Sequence, residues 1–168
     1  MIVSYSQIVG SQVLAIKEQK TAGKVADLVL QKSDLKIKAA LLYKPFFFSQ
    51  QKIIAYDDIV EYDKNALIIQ SENDIIPLGE VVSVEQAFKA KLAGSSYKVY
   101  TKSKKYVGSV YDYTLESDTG LIFAIYVKYM LSDRIISRSN IIEIKDHHFV
   151  IDDDFELVKN GANAMETA

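Results

Sequence analysis

Residues 22–42 read AGKVADLVLQKSDLKIKAALL, and residues 107–127 read VGSVYDYTLESDTGLIFAIYV. The two stretches align without a gap, which indicates an internal duplication. A second matching pair follows at residues 52–69 and 134–151. The difference in residue number between matching positions changes at one connection, where KPFFFSQQ in the first copy is longer than its counterpart. Loops tolerate such insertions, so this change is compatible with a duplication. The recurring residues are Gly23 and Gly108, Val25 and Val110, Asp27 and Asp112, Leu30 and Leu115, Ile37 and Ile122, and Ala39 and Ala124.

Each copy contains short runs of Val, Ile, Leu and Tyr that are separated by turn residues, which is the spacing of β-strands. A small all-β unit has to protect its edge strands, and closing the sheet does so. The sequence therefore predicts an all-β protein of two tandem small antiparallel β-barrels. The predicted strands lie near 11–16, 24–31, 36–43, 52–56, 59–62 and 66–70, and near 97–102, 109–116, 121–128, 134–138, 141–145 and 148–152.

One short helix is predicted between the copies. Ser83-Val84-Glu85-Gln86 has the spacing of a capping box, and Gly94 stands where a C′ glycine would end the helix. The residues after 154 lack apolar periodicity, as flexible tails do. The predicted organisation is a first barrel at 1–77, a helix-containing linker at 78–94, a second barrel at 95–154 and a flexible tail at 155–168.

Composition narrows the class of protein. Lys and Arg number 20 and Asp and Glu 22, a net charge of −2, whereas nucleic-acid binders usually carry a basic excess. Cysteine is absent, which removes disulfides and thiolate chemistry and suits a reducing cytoplasm. No apolar run approaches the ~20 residues that span a membrane, and the first residues do not read as a signal peptide. We therefore expect a cytoplasmic protein without membrane insertion.

The repeated pattern resembles the PRC-barrel family. The residues that carry the resemblance are GKVADLVL at 23–30 and KIIAYDDI at 52–59, with GSVYDYTL and RIISRSNI in the second copy. The resemblance covers 10–77 and 95–154 and implies small antiparallel β-barrels that dock onto larger assemblies without catalysing a reaction. The family includes the cytoplasmic part of the photosynthetic reaction-centre H subunit and the C-terminal domain of a ribosome maturation factor. The second copy departs from the pattern, with Ser139-Asn140 in place of Asp57-Asp58.

Glycine and aspartate recur at fixed positions in the two copies. Gly23 and Gly108 precede strands, where positive φ or a close backbone approach would require glycine. Asp27 and Asp112 fall inside strands, where Asp is uncommon, and we expect each carboxylate to accept a backbone hydrogen bond. A functional carboxylate is the alternative, and the symmetric placement favours the structural interpretation.

The candidates for catalysis or metal binding are weak. Asp57 and Asp58 are neighbours on a predicted strand, so their side chains would point to opposite faces and could not share a proton or a metal. His147 and His148, close to the three acidic residues at 152–154, carry ligand types but sit at a hairpin turn, where alternation sends neighbours apart. We predict no enzyme, no catalytic residue, no metal site and no cofactor.

The segment 97–106, YKVYTKSKKY, interleaves basic and aromatic residues. Stacking together with phosphate attraction would suit single-stranded RNA. An ordinary strand followed by a solvated lysine turn is the simpler interpretation. RNA binding, as in an RNA- or ribosome-associated factor, is therefore the alternative function, and the near-neutral charge does not favour it.

The best candidate for a binding surface is an aromatic loop. Three consecutive aromatic residues, Phe46, Phe47 and Phe48, cannot all point inward from a connection, and the matching loop of the second copy holds Tyr129, Met130 and Leu131. Exposed apolar clusters mark contact surfaces. Packing inside the protein is the alternative. The sequence thus predicts a non-catalytic interaction module with an unidentified protein partner, homodimerisation through this loop being a further outcome.

Overall fold

The computed structural model describes residues 1–63, 65–90, 97–146 and 148–154. By internal contacts the chain divides into a first unit, Met1–Lys91 with Thr114–Ile122, and a second unit, Leu92–Tyr113 with Phe123–Ala168. Gly94, His147 and the predicted tail lie outside the described residues. The domain boundaries expected from the repeat stay a prediction.

The secondary structure of the described residues is mostly β, in two seven-stranded sheets. No helix among these residues is both long enough and apolar enough to cross a bilayer. The elements up to residue 90 are β1 (Ile2–Ser4), α1 (Tyr5–Ile8), β2 (Gln12–Ala15), β3 (Lys20–Gln31), β4 (Lys36–Leu42), β5 (Lys52–Ala55), β6 (Ile59–Asp63), β7 (Ala66–Ile69), β8 (Ile75–Pro77) and α2 (Val82–Lys89). The later strands are β9 (Lys98–Thr101), β10 (Tyr106–Glu116), β11 (Ile122–Tyr129), β12 (Ser132–Ser137), β13 (Ile141–Lys145) and β14 (His148–Ile151).

The same order of strand pairing recurs in the two sheets. One sheet has the order β6-β7-β2-β3-β4-β5-β8, and the other has β12-β11-β10-β9-β14-β13, with β1 added to the end of β10. β2 pairs antiparallel with β3 and parallel with β7, and β9 pairs in the same two ways with β10 and β14. All twelve predicted strands are present, because period-two alternation of apolar residues is a local signal. The sequence missed β1, α1 and β8, which have three or four residues each.

A closed barrel was expected, but strand pairing in the described part of the chain does not close. In the first sheet the pairing runs from β6 at one edge to β8 at the other. β3 carries register shifts against both of its neighbours, and such bulges bend a strand and increase its twist. The sheet is therefore bent at its longest strand, while no pairing between its two edge strands joins them into a ring.

Helix α2 packs onto the first sheet. Val84 is buried in a cluster with Val29, Ala39, Leu41 and Ile53, and Ala87 and Phe88 pack against that cluster. The spacing of 84, 87 and 88 places these side chains on one face of a helix.

The capping box predicted at Ser83 is wrong. The helix begins at Val82, so Ser83 lies inside its first turn, and the cap residue Val81 offers no side-chain hydrogen bond. The carbonyl of Val81 accepts the first helical hydrogen bond, from the Glu85 amide at 2.9 Å. Val81 itself packs against the cluster. The start of the helix is therefore stabilised by burial of its apolar face and not by a polar cap.

Candidate functional site

The connection between β4 and β5, residues 43–51, presents a cluster of solvent-exposed aromatic side chains. Phe46, Phe47 and Phe48 are 75%, 89% and 95% exposed, and Tyr43 beside them is 57% exposed. The rings of Phe47 and Phe48 contact each other edge to face, with centroids 5.3 Å apart. Aromatic side chains of this size are usually buried, so their exposure makes this loop the candidate functional site of the first unit. We call residues 43–51 the aromatic loop.

Hydrogen bonds hold the base of the aromatic loop. The Gln51 side-chain amide donates to the carbonyls of Leu42, at 2.8 Å, and Lys52, at 3.0 Å. The Gln51 carbonyl accepts from the Leu78 amide at 2.9 Å. At the tip, the Ser49 amide donates to the Phe46 carbonyl at 3.0 Å, which closes a tight turn. The loop is thus anchored at its base, and the phenylalanines project from a defined turn.

Basic side chains flank the aromatic loop. The Lys24 ammonium lies 5.7 Å from the centroid of the Tyr43 ring, a cation–π geometry. Lys44 and Lys52 are exposed on either side of the phenylalanines. No ion pair within the described residues involves these three lysines. The loop therefore combines an apolar tip with a positively charged surround.

The matching connection in the second unit is a tight turn and is also apolar. Met130 and Leu131 are 79% and 102% exposed, and Tyr129 before them is 36% exposed. Met130 has a φ of 54°, and the Ser132 hydroxyl donates to the Tyr129 carbonyl at 2.9 Å. The two connections share an exposed apolar tip, although the second is shorter.

The repeated aspartates hold local backbone geometry. Asp27 Oδ1 accepts hydrogen bonds from the Leu28 amide at 2.7 Å and from the Tyr5 hydroxyl at 2.9 Å. In the second unit, Asp112 Oδ1 accepts from the Tyr113 amide at 2.8 Å. The register of β3 shifts next to Asp27, so its carboxylate satisfies an amide where the ladder is irregular.

The repeated glycines differ from each other. Gly108 has a φ of +144°, and a Cβ there would lie 2.5 Å from the Lys128 carbonyl oxygen and 2.7 Å from Val127 Cγ1. Neither glycine precedes its strand as expected, since Gly108 lies within β10 and Gly23 within β3. Gly23 has no positive φ, and a Cβ there would make an ordinary 3.4 Å contact with Leu42 Cδ1. Only at Gly108 do backbone conformation and a neighbouring strand both require glycine.

Asp57 and Asp58 do not lie on a strand. They belong to a single 3₁₀ turn, Tyr56–Asp58, between β5 and β6, so the expected placement of their side chains on opposite strand faces is wrong. Burial raises the pKa of Asp58, and the neighbouring carboxylates of Asp74 and Asp57 raise it further. The second copy has the same kind of turn at Arg138–Asn140, without carboxylates.

The histidine and acidic cluster has two parts. His148 lies on β14, whereas His147 lies outside the described residues. Asp153 Oδ1 accepts from the Ser103 amide at 3.0 Å and from the Ser103 hydroxyl at 2.6 Å, and these hydrogen bonds lower the pKa of Asp153. Within the described residues no group of three or more His, Asp and Glu side chains has the geometry of a metal site.

A cavity of about 510 Å³ lies beside the N-terminal segment of the first unit. Among the described residues that line it, Asp63 is the one carboxylate, and Ser11, Tyr62 and Asn65 supply polar groups. The described lining of the cavity thus combines a single carboxylate with neutral polar and apolar groups.

Tyr56 is a buried polar side chain of the first unit that is fixed by hydrogen bonds. It is 7% exposed, and its hydroxyl donates to the carbonyls of Ser117, at 2.7 Å, and Glu116, at 3.3 Å. Its ring faces Gly120, where a Cβ would lie 2.9 Å from the ring. Burial, together with the negative charge of Asp118, raises the pKa of Tyr56 to about 12.

Alkaline unfolding should depend on Tyr56. In the unfolded chain this phenol ionises near pH 10, whereas the folded state keeps its proton until about pH 12. The free energy of unfolding should therefore fall across that interval, since the unfolded state binds fewer protons there. We expect Tyr56→Phe to flatten this fall in urea titrations made at pH 9 and at pH 11.5. Tyr43→Phe, at an exposed position, is the control and should leave the pH dependence unchanged; an equal effect of both would contradict the assignment.

The basic and aromatic segment of 97–106 forms β9, a turn and the start of β10. Its rings contact aromatic residues from other strands that the sequence did not group with it, namely Tyr129, His148 and Phe149. No local pattern predicts these contacts, because strand pairing creates them.

No protein-family model matches the chain, and no curated protein shows significant similarity to it.

Proposed function

We propose that this protein is a non-catalytic interaction module that docks onto a protein assembly in the cytoplasm. The observation that carries the proposal is the exposure of the three phenylalanines at 46–48, which rises from 75% to 95% along the run. A PRC-barrel relationship, with two small barrels in tandem, is part of the same proposal and rests on the repeated Gly-Asp pattern and on the recurring strand order.

The geometry of the aromatic loop supports docking. A side chain that binds a partner tightly is usually a large aromatic residue that becomes fully desolvated in a pocket. The Gln51 hydrogen bonds fix the base of the loop, which reduces the backbone conformational entropy that is lost on binding. The lysines around the tip favour a partner whose pocket has an acidic rim.

The test is capture from native cytoplasm, with and without ribonuclease, followed by binding to the purified partner. The triple variant Phe46→Ser, Phe47→Ser, Phe48→Ser should weaken that binding at least ~30-fold, as expected when aromatic anchors worth about 2 kcal/mol or more are removed. Val60→Ser with Val82→Ser, at exposed apolar positions outside the loop, is the matched control and should bind like the wild type.

Unchanged affinity of the triple variant, with an unchanged circular dichroism spectrum and melting curve, would contradict the proposal. Self-association is checked by the same variants in sedimentation velocity, where a dimer through the aromatic loop would be lost only in the triple variant. Ribosomal proteins or RNA that disappear from the capture after ribonuclease treatment would instead favour the alternative function, an RNA- or ribosome-associated factor.

A further inference from the structure

A continuous row of rings crosses the sheet of the second unit. It runs from His148 on β14 through Tyr100 on β9 and Tyr106 on β10 to Tyr129 at the end of β11, with centroid distances of 5.2, 5.3 and 5.9 Å. The Arg134 guanidinium on β12 continues the row, 5.1 Å from the centroid of Tyr129. Five neighbouring strands therefore each contribute one planar group, and we call this set the ring row.

The ring row is partly accessible to solvent: Tyr106 and Tyr129 are exposed, and its other members are half-buried. On β9, Lys98 and Tyr100 alternate with the buried residues Val99 and Thr101, so the tyrosine points away from the core. Tyr106 is paired in register with Tyr100 and is 41% exposed. Neighbouring rings of the row meet at interplanar angles of 53° to 78°, tilted or edge to face, so another ring can stack only on the part of a ring that remains exposed.

Positive charge surrounds the ring row. Lys98 lies on the same face of β9 as Tyr100, and Lys102, Lys104 and Lys105 stand in the turn between β9 and β10, all four being exposed. Within the described part of the chain, neither these four lysines nor Arg134 forms an ion pair.

Two further contacts affect the charged groups near the ring row. In the turn between β9 and β10, the Asp153 carboxylate accepts two hydrogen bonds from Ser103. Its negative charge offsets part of the positive charge of the lysines there. Arg134 donates to the Val107 carbonyl at 3.2 Å, while its buried Nε has no hydrogen-bond partner. The guanidinium is thereby held in place beside Tyr129.

We propose that the ring row is a stacking platform for a single-stranded nucleic acid. Bases stack on the exposed rings of Tyr106 and Tyr129, and phosphates pair with the lysines of the β9–β10 turn. The arrangement fits this ligand because stacking needs planar faces, the backbone needs a nearby positive charge, and both lie on one surface. RNA and DNA single strands share this chemistry. The proposal concerns a different surface from the aromatic loop and does not depend on it.

The test is fluorescence anisotropy with the full chain and three labelled probes: a 12-nucleotide oligouridylate, the matching oligothymidylate and a 12-base-pair duplex. We expect at least one of the two single strands to bind more tightly than the duplex, by ~10-fold or more. If four lysines contact phosphates, raising the salt from 50 to 200 mM should weaken single-strand binding by roughly 50-fold. A preference for the uridylate assigns RNA, a preference for the thymidylate assigns DNA, and equal affinity assigns both.

Substitutions separate stacking from charge. Tyr106→Ala with Tyr129→Ala should weaken binding at least ~30-fold, because each stacked base contributes about 1–3 kcal/mol. Tyr106→Phe with Tyr129→Phe keeps the rings and should bind within ~3-fold of the wild type. Tyr111→Ala, at a 52% exposed tyrosine on the same strand but outside the row, is the matched control and should have no effect.

Three results would overturn the proposal. They are no binding of either single strand at 50 mM salt, equal binding of the duplex, and a folded alanine pair that binds like the wild type. Should the alanine pair not fold, the phenylalanine pair and a Lys104→Gln, Lys105→Gln variant decide. The lysine variant should bind more weakly and with a shallower salt dependence, and an unchanged salt dependence contradicts the platform.

Discussion

Phe149→Ala should destabilise the second unit by about 3–5 kcal/mol, whereas Phe48→Ala should change the stability of the protein by less than about 0.5 kcal/mol. Phe149 is 1% exposed and its ring packs edge to face on Tyr97, with centroids 5.2 Å apart. Its removal leaves a cavity that the surrounding strands cannot fill. Phe48 is 95% exposed, so its truncation removes almost no buried surface.

Urea unfolding followed by circular dichroism measures both effects, and the comparison bears on function. If Phe48→Ala is neutral for stability, the folded state does not require the aromatic loop to be aromatic, and partner binding remains the reason for its composition. A cost above about 1.5 kcal/mol for Phe48→Ala would mean that the loop packs within the protein, which would contradict the docking proposal.

Gly108→Ala should cost about 2–5 kcal/mol, while Gly23→Ala at the equivalent position should change stability by less than about 1 kcal/mol. At Gly108 a side chain meets both an unfavourable φ of +144° and a backbone oxygen 2.5 Å away. The β10 backbone would have to move away from β11 to accommodate it. At Gly23 the nearest atom is the flexible end of Leu42, at 3.4 Å, so a methyl group fits.

The two alanine variants are best compared by thermal and urea unfolding under the same conditions. Equal costs at the two positions would show that the repeated glycines serve one shared purpose. A large cost at Gly108 alone would show that the two units use one sequence motif under different steric constraints.

Much of the fold follows from local sequence. All twelve strands of the repeat are predictable, because alternation of apolar residues and turn residues acts within a few positions of the chain. The short elements β1, α1 and β8 are not predictable, since three or four residues give no periodic signal. The start of α2 was mispredicted because packing of Val81 and Val84 on the sheet outweighed a polar capping pattern.

The candidate surfaces divide in the same way. The composition of the aromatic loop is evident from three consecutive phenylalanines, but their exposure is a property of the folded chain. The sequence placed Tyr106 in a basic segment and Tyr129 in an apolar turn, and it gave Arg134 no role. Strand pairing brings these three residues together.

The sequence by itself determined the duplication, the β-strands and the absence of cysteine chemistry, because each depends on residues close together in the chain or on composition alone. Only the tertiary structure decided that Gly108 and not Gly23 must be glycine, that Tyr56 packs on Gly120, and that four rings and one guanidinium from five strands form one row. Those features depend on register between distant strands, and register is set by long-range pairing that no local pattern contains.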